Sequence, residues 1–300
     1  MTAVRRIGKQ RDLLGESPIW SVAEQALYWV DIRRPALRRV DEVTGVVETR
    51  DMPAMVGAIA LTATPRRLVV ALAERIVLYD WRTGVMETVA ELPRPIAGHR
   101  FNDGRCDRQG RFWVGTMHNV TRAPEGALFR LDPAGLTLVL DGISIPNSLA
   151  WSPDGRVMYF ADSARHAIHR HDYAPESGTP GPASVLVTTD PPGFPDGSTV
   201  DADGFVWNAE FHAARVVRYS PRGKIDRVVN LPVNRPTACA FGGPYLQRLY
   251  ITTTSQDMDE RALAAEPLAG ALLTIDAGVR GLPEPVCAVL PHLAVGGPRP

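Results

Sequence analysis

Residues 194–211 read F-P-D-G-S-T-V-D-A-D-G-F-V-W-N-A-E-F, and this stretch carries the pattern that decides the fold. A carboxylate, Asp196, comes just before a short β-prone run at residues 198–200. Asp203 and Gly204 then supply a tight turn, and a second β-prone run rises through Trp207. The stretch therefore predicts a β-hairpin with an acidic residue at its start.

The same arrangement recurs along the chain when the large residue of each second strand is used as a marker. By subtraction, consecutive markers lie 40, 44, 46, 48 and 43 residues apart: Trp29, Val69, Trp113, Tyr159, Trp207 and Tyr250. A period in the forties with strand–turn–strand content is typical of propeller blades. We therefore predict an all-β fold, a six-bladed β-propeller with four antiparallel strands per blade. It would form a single domain over residues 1–300, with blades beginning near 16, 57, 102, 147, 196 and 237.

The outer strand of the last blade has two candidate segments. Residues 4–10 could pair there and close the ring, which would remove a sheet edge, but residues 285–290 compete for the same position. A helix is expected only within residues 257–265, inside a long connection. That connection and residues 117–126 are longer than hairpins require, and both are expected on the face that carries the functional site.

Composition excludes several classes of partner. Lys plus Arg and Asp plus Glu each number 33, so no net charge favours nucleic acid or an anionic membrane. The first 16 residues have no apolar core typical of a signal peptide, and no apolar run is long enough to span a bilayer. We expect a cytoplasmic protein that is a monomer or weak dimer. Its three cysteines are too few and too scattered for a disulfide framework.

Polar residues occupy one equivalent position in four of the blades. Counted back from the markers by subtraction, Glu16, Asn102, Asn147 and Asp196 lie 13, 11, 12 and 11 residues earlier, at the head of each first strand. First strands line the central channel of a propeller, so these side chains should converge. Two acids and two amides would then be crowded at the narrow entrance of the channel, which we call the neck. The acids would repel one another, and all four groups would lose hydration, unless a cation lay between them.

Carboxylate and amide oxygens suit one hard divalent cation, Ca²⁺, Mg²⁺ or Mn²⁺, with Zn²⁺ or Fe²⁺ less typical. The alternative is that each residue caps a strand end through a local hydrogen bond, as Asn and Asp often do. The recurrence at one repeat position favours the metal. Blade two has Gly57 and blade six Thr237 at this position.

Six short motifs, in this order along the chain, resemble those of the regucalcin (senescence marker protein) and gluconolactonase family. They are Gly15-Glu16-Ser17-Pro18-Ile19-Trp20, Arg100-Phe101-Asn102-Asp103-Gly104, Gly115-Thr116-Met117, Pro146-Asn147-Ser148-Leu149-Ala150-Trp151, Pro195-Asp196-Gly197 and Cys239-Ala240-Phe241-Gly242-Gly243. The resemblance implies a six-bladed propeller that holds one divalent cation and hydrolyses sugar lactones. It also implies that Glu16, Asn147 and Asp196 are the metal ligands and that Arg100 and Asn102 contact substrate.

One departure from the family pattern concerns the substrate. Animal members of the family carry a substrate-facing glutamate two residues past the Gly115-Thr116-Met117 motif, whereas this chain has His118 and Asn119 there. Bacterial sugar lactonases of the family also place His after that Met. His118 and Asn119 are therefore candidate substrate-binding residues, together with Arg100 and Asn102, and the sugar that fits is left open.

The residues also indicate a chemistry. Lactone hydrolysis needs an electrophile on the carbonyl oxygen and an activated water, and a divalent cation can supply both. Asp196 is the candidate general base and catalytic residue, although ligation of a cation would lower its basicity. Two alternatives are an esterase or phosphotriesterase on the same platform and a non-catalytic metal-binding propeller. A basic patch at Arg33, Arg34, Arg38 and Arg39 is interpreted as a solvated blade edge.

Overall fold

The computed structural model of the chain describes residues 3–93, 97–133 and 135–288, which form six four-stranded antiparallel sheets. In chain order the strands are β1 Arg5–Ile7, β2 Gly15–Ser21, β3 Ala26–Asp31, β4 Ala36–Asp41, β5 Val47–Asp51, β6 Val56–Leu61, β7 Arg67–Leu72, β8 Arg75–Asp80, β9 Met86–Glu91, β10 His99–Cys106, β11 Phe112–His118, β12 Gly126–Asp132, β13 Gly135–Ile143, β14 Pro146–Trp151, β15 Val157–Asp162, β16 Ala167–Ala174, β17 Thr179–Thr188, β18 Phe194–Val200, β19 Val206–Phe211, β20 Arg215–Tyr219, β21 Ile225–Asn230, β22 Pro236–Gly242, β23 Arg248–Thr253 and β24 Leu272–Asp276. Five blades are formed by four consecutive strands each, from β2 to β21. The predicted all-β, six-bladed propeller is confirmed.

The last blade is closed by the N-terminal segment. β1 pairs antiparallel with β24, so this sheet has the order β1-β24-β23-β22. The competing prediction, an outer strand at residues 285–290, is wrong for its described part, residues 285–288. There Cys287 bridges Thr62 of blade two, and the Ala288 N–H donates to the Gly110 carbonyl. Because β1 already satisfies the open edge of β24, the C-terminal segment crosses to blades two and three instead.

The hydrophobic core lies between the blades rather than within them. Six clusters of buried side chains each join two neighbouring blades, and one of them joins blade six to blade one through Tyr250 and Trp29. Each blade therefore depends on both neighbours to bury its faces, as expected for a repeat that cannot stand alone. All six tryptophans are buried.

The long connection after β23 contains the predicted helix, α1 (Glu260–Ala265). Its N-cap, Asp259, accepts a hydrogen bond from the Ala262 N–H at 2.8 Å, which satisfies one of the free amides of the first turn. Among the described residues, no helix is both long and apolar enough to cross a bilayer. The three cysteines are buried and are not joined in disulfides.

Candidate functional site

The first strand of every blade carries a β-bulge near its start. In blade one the pairing register between β2 and β3 shifts between Glu16 and Ile19, and β6, β10, β14, β18 and β22 shift at the equivalent place. A bulge leaves a residue unpaired and re-aims its side chain. Ser17 and Ser148, just after two of the head residues, have positive φ values of 48° and 61°. Such backbone is costly for a non-glycine residue and is concentrated at functional sites.

The bulges bring the four polar head residues into one cavity. Glu16, Asn102, Asn147 and Asp196 all line a space of about 290 Å³. The other two blades use the head position for packing. A Cβ on Gly57 would lie 2.3 Å from the Phe101 carbonyl oxygen, so only glycine fits there. The Thr237 hydroxyl donates to the Gly15 carbonyl of the next blade at 2.5 Å.

The amide of Asn147 is held in one orientation. Its Nδ2 donates to the Ser163 hydroxyl at 2.9 Å, and that hydroxyl donates to the Pro195 carbonyl at 2.6 Å. Its Oδ1 accepts a hydrogen bond from Asn102 Nδ2 at 3.1 Å. The Asn147 side chain thus presents its oxygen, the atom that a hard cation prefers, toward the neck.

In the described part of the chain, none of the acids of the neck forms a close ion pair. Among the described residues, Glu16, Asp103 and Asp196 make no ion pair within 4.0 Å. Burial, and then repulsion from Asp103, raises the pKa of Glu16 to about 8. Burial, followed by repulsion from Glu16 and Asp103, raises the pKa of Asp196 well above its usual range. Burial raises the pKa of Asp103 as well, although its carboxylate accepts a hydrogen bond from the Leu149 N–H at 2.9 Å.

This donor set fits a hard divalent cation. Uncompensated buried carboxylates are unfavourable, and a cation between them would remove both the repulsion and much of the desolvation cost. Among the described residues, no three His, Cys, Asp or Glu side chains are grouped so as to hold a metal ion. A site in the neck would therefore draw on the amide oxygen of Asn147 together with the carboxylates of Glu16 and Asp196.

Arg100 lies in the same cavity and is held by three hydrogen bonds. Its Nε donates to Asn119 Oδ1 at 2.9 Å, and its Nη1 donates to Asn102 Oδ1 at 2.7 Å and to the Phe101 carbonyl at 2.9 Å. Burial, and then the charge of Arg33, lowers the pKa of Arg100 to about 10. The guanidinium is still charged at neutral pH, and its orientation is fixed by the two asparagines that the sequence marked as substrate-binding.

His118 is oriented differently from the other candidate residues. It is not among the described residues that line the cavity. Its Nδ1 accepts hydrogen bonds from the Val120 and Thr121 N–H groups at 3.2 and 3.0 Å, and its ring packs edge-on against His99. His118 thus stabilises the loop that follows β11. Asn119, which lines the cavity, belongs to this loop.

Several cavity residues were missed by the sequence analysis. Arg33, which was assigned to a solvated patch, lines the cavity, and Arg38 and Arg39 of that patch are buried in ion pairs with Asp12 and Glu48. Other lining residues that the sequence did not single out include Arg122, Phe194, Arg235 and Gln256. Arg33, Arg122 and Gln256 lie in connections between the second and third strands of a blade. The length of two of these connections, residues 119–125 and 254–271, was a signal that could have found Arg122 and Gln256.

The fold and site together define a class: a closed six-bladed β-propeller whose neck holds acids and amides beneath an arginine-lined cavity. The model of the SMP-30/Gluconolactonase/LRE-like region matches residues 14–255, and the chain belongs to this family. The resemblance inferred from the six motifs is confirmed.

Similar proteins cover almost the whole chain. A 6-deoxy-6-sulfogluconolactonase from Pseudomonas putida is 38% identical, with 93% of this chain and 97% of the relative covered. An L-arabinolactonase from Azospirillum brasilense is 39% identical, with 87% of each chain covered. The crystal structure of a calcium-binding protein, regucalcin, from Agrobacterium tumefaciens str. C58 superposes with a TM-score of 0.91 at 31% identity, covering 95% of this chain and 97% of that one.

Proposed function

We propose that this protein hydrolyses a sugar lactone to the corresponding aldonic acid, with one divalent cation held by Glu16, Asn147 and Asp196. The observation that carries the proposal is the neck itself. Two acids, Glu16 and Asp196, line a polar cavity beside a buried and oriented arginine, and among the described residues neither makes an ion pair within 4.0 Å. The names of the lactonase relatives support the same reaction class, and the calcium-binding relative supports a divalent ion.

A cation bound in the neck would polarise the lactone carbonyl and lower the pKa of a coordinated water. The side chains of the protein bind and orient the substrate. Asn102 and Asn119 can each donate to and accept from a sugar hydroxyl, which suits a polyhydroxylated ring. Within the described part of the chain, Arg100 uses Nε and Nη1 for internal hydrogen bonds, so Nη2 is available to bind a substrate oxygen.

Asp196 is the proposed general base. It lies in the cavity and its pKa is raised by burial and by Glu16, so it is a stronger base than an exposed aspartate. Ligation of the cation would lower that pKa again, so the two roles of Asp196 oppose one another. Asp103, next to Asn102 in the same bulge, is close enough for its charge to raise the pKa of Asp196 and could relay the proton onward.

The test is a panel of glucono-, xylono- and arabinono-lactones, assayed with metal-stripped protein and again after adding Ca²⁺, Mg²⁺, Mn²⁺, Zn²⁺ or Fe²⁺ singly. We expect lactone opening to fall to background on stripping and to return with at least one of these ions. Full activity in protein shown by elemental analysis to lack metal would contradict the metal dependence. Turnover limited to simple esters or phosphotriesters, or metal binding without any turnover, would contradict the lactonase itself.

A further inference from the structure

Three arginines surround the mouth of the cavity and come from different parts of the ring. Arg33 follows β3, Arg122 follows β11, and Arg235 precedes β22, so blades one, three and six each contribute one. All three line the same space of about 290 Å³ as the neck residues. We call these residues the arginine rim. Arg100 lies deeper and is not part of it.

The arginine rim has no close ion-pair partner in the described part of the chain. Among the described residues, none of its members makes an ion pair within 4.0 Å. Arg33 donates from Nε to Gln256 Oε1 at 3.0 Å, and the Arg235 guanidinium lies 6.0 Å from the centre of the Phe211 ring. Both contacts orient a guanidinium without cancelling its charge.

The acids near the arginine rim do not balance it. Asp257 lines the cavity, where it accepts a hydrogen bond from Gln256 Nε2 at 2.9 Å. Glu266 lies nearby, and its carboxylate accepts from the Asn234 N–H at 2.8 Å. Glu16 and Asp196 face the proposed cation and feel the charge of Arg100 without pairing with it. The mouth of the cavity therefore has an excess of positive charge.

The positive charge of the arginine rim lowers the pKa of two neighbouring groups, Arg100 and His212. The charges of Arg33 and Arg122 add to burial in lowering the pKa of Arg100. After burial, Arg235 and Arg122 are the main causes that lower the pKa of His212, which lines the same cavity. Charges on three separate loops thus act on the same enclosed space. Like charges brought together in this way are unfavourable unless an anion is bound among them.

We infer that the site takes a sugar lactone carrying a fixed negative charge, such as a carboxylate, sulfonate or phosphate, at the end remote from the lactone carbonyl. This inference rests on the proposed function, because it assumes that the carbonyl lies at the neck. A neutral sugar would offer the arginine rim only hydroxyl oxygens. An anionic group would instead accept charge-assisted hydrogen bonds from guanidinium groups whose planar geometry matches its oxygens.

The experiment compares glucono-1,5-lactone with 6-phosphoglucono-1,5-lactone and with glucarolactone, whose remote group is a carboxylate. Wild type, the double variant Arg122→Gln/Arg235→Gln and the control Arg261→Gln are assayed with all three substrates. Arg261 is an exposed arginine in α1 that does not line the cavity. Comparison of the two anionic substrates distinguishes a phosphate-type from a carboxylate-type partner.

We expect wild type to prefer an anionic lactone in kcat/KM. The double variant should lose about tenfold to a hundredfold on that substrate, mainly through KM, as expected from losing charge-assisted hydrogen bonds. Its loss on gluconolactone should be at least tenfold smaller, and Arg261→Gln should leave both values unchanged. The preference should also shrink at high ionic strength. Thermal unfolding of each variant checks that the fold is intact.

Calorimetric titration with gluconate and 6-phosphogluconate separates this inference from the proposed function. If no lactone is opened but 6-phosphogluconate still binds more tightly than gluconate, and only when Arg122 and Arg235 are present, the proposed function fails and the anion preference stands. If gluconolactone is opened at least as well as both anionic lactones, the inference is overturned. Equal losses on neutral and anionic substrates in the double variant would overturn it as well.

Discussion

Asp196 and Asp201 lie at opposite ends of β18 and both are buried, yet their surroundings differ sharply. Asp201 accepts hydrogen bonds from the Asp203 and Phe205 N–H groups, from Trp207 Nε1 at 2.9 Å and from Arg218 Nε at 2.8 Å. Asp196 has the Gly197 N–H as its donor and faces two other acids. The Asp201 carboxylate is saturated with donors, whereas among the described residues Asp196 makes no ion pair.

Blade three shows the same contrast. At the turn after β10, Asp107 accepts from the Gln109 and Arg111 N–H groups, from Trp113 Nε1 and from the Tyr173 hydroxyl at 2.6 Å. In the bulge of the same strand, Asp103 accepts from backbone N–H groups, including that of Leu149, but has no side-chain donor among the described residues, and burial raises its pKa. Buried acids at the turns between first and second strands, such as Asp107 and Asp201, therefore hold the blades together. Buried acids at the neck are arranged to bind a cation. Burial alone does not distinguish the two kinds, but the supply of donors does.

The largest expected effect comes from replacing Asp196. Asp196→Asn should lower lactone turnover by about a thousandfold or more, because the proposed base is removed, and should weaken binding of the divalent cation. The metal-free protein should be at least as stable as wild type, since an uncompensated buried charge is lost. Stopped-flow lactone assays, calorimetric metal titration and thermal unfolding measure the three quantities. If metal affinity were unchanged, Asp196 would not be a metal ligand, and its proposed difference in role from Asp201 would be wrong.

Replacing Asp201, at the other end of β18, should instead lower stability and leave metal affinity and turnover almost unchanged. Asp201→Ala leaves Arg218 and the Trp207 indole N–H without a shared acceptor, so the free energy of unfolding should fall by about 3 kcal/mol. Urea denaturation measures this loss. Metal affinity and turnover per folded molecule should stay within about twofold of wild type, since each site depends only on its local donors. A stability loss below about 0.5 kcal/mol, the usual limit for substitutions away from such networks, would show that the saturated network is not structural.

A smaller effect is expected from Asn119. Asn119→Ala removes the acceptor of the Arg100 Nε hydrogen bond, so the guanidinium should lose its fixed orientation and KM should rise about tenfold. The change should alter the preference between lactones more than the affinity for metal. Val120→Ala, an exposed neighbour on the same loop, is the control. If metal affinity fell as far in Asn119→Ala as in Asp196→Asn, the proposed division between metal ligands and substrate contacts would be wrong.

Some features could be predicted because they depend on local pattern. The six markers were recognisable because each blade needs a large buried residue in its second strand, and Trp29, Trp113 and Trp207 fill that position without solvent exposure. The helix within residues 257–265 was recognisable from its place in a long connection. These features are encoded in the composition and spacing of short stretches, so the chain reveals them without knowledge of distant contacts.

Other features could not be read in this way. Two segments competed for the last outer strand, and only the pairing of β1 with β24 decided between them. His118 does not line the cavity because it is still paired with His99 in β11, so strand alternation turns it to the face opposite Met117, which does line the cavity. The sequence did not show that β11 extends as far as His118. The arginine rim was missed because its three members lie on loops far apart in the chain. Arg33 was grouped with Arg34, which is exposed, and with Arg38 and Arg39, which are in fact buried.

The sequence by itself determined the number of blades and the polar residues at the heads of their first strands. The repeat also predicted that Glu16, Asn147 and Asp196 converge, but only the tertiary structure shows that they line one cavity. The physical reason is that convergence needs two things that no local pattern contains. The ring must close, which depends on apolar clusters formed between blades, and each first strand must bulge so that its head residue turns inward.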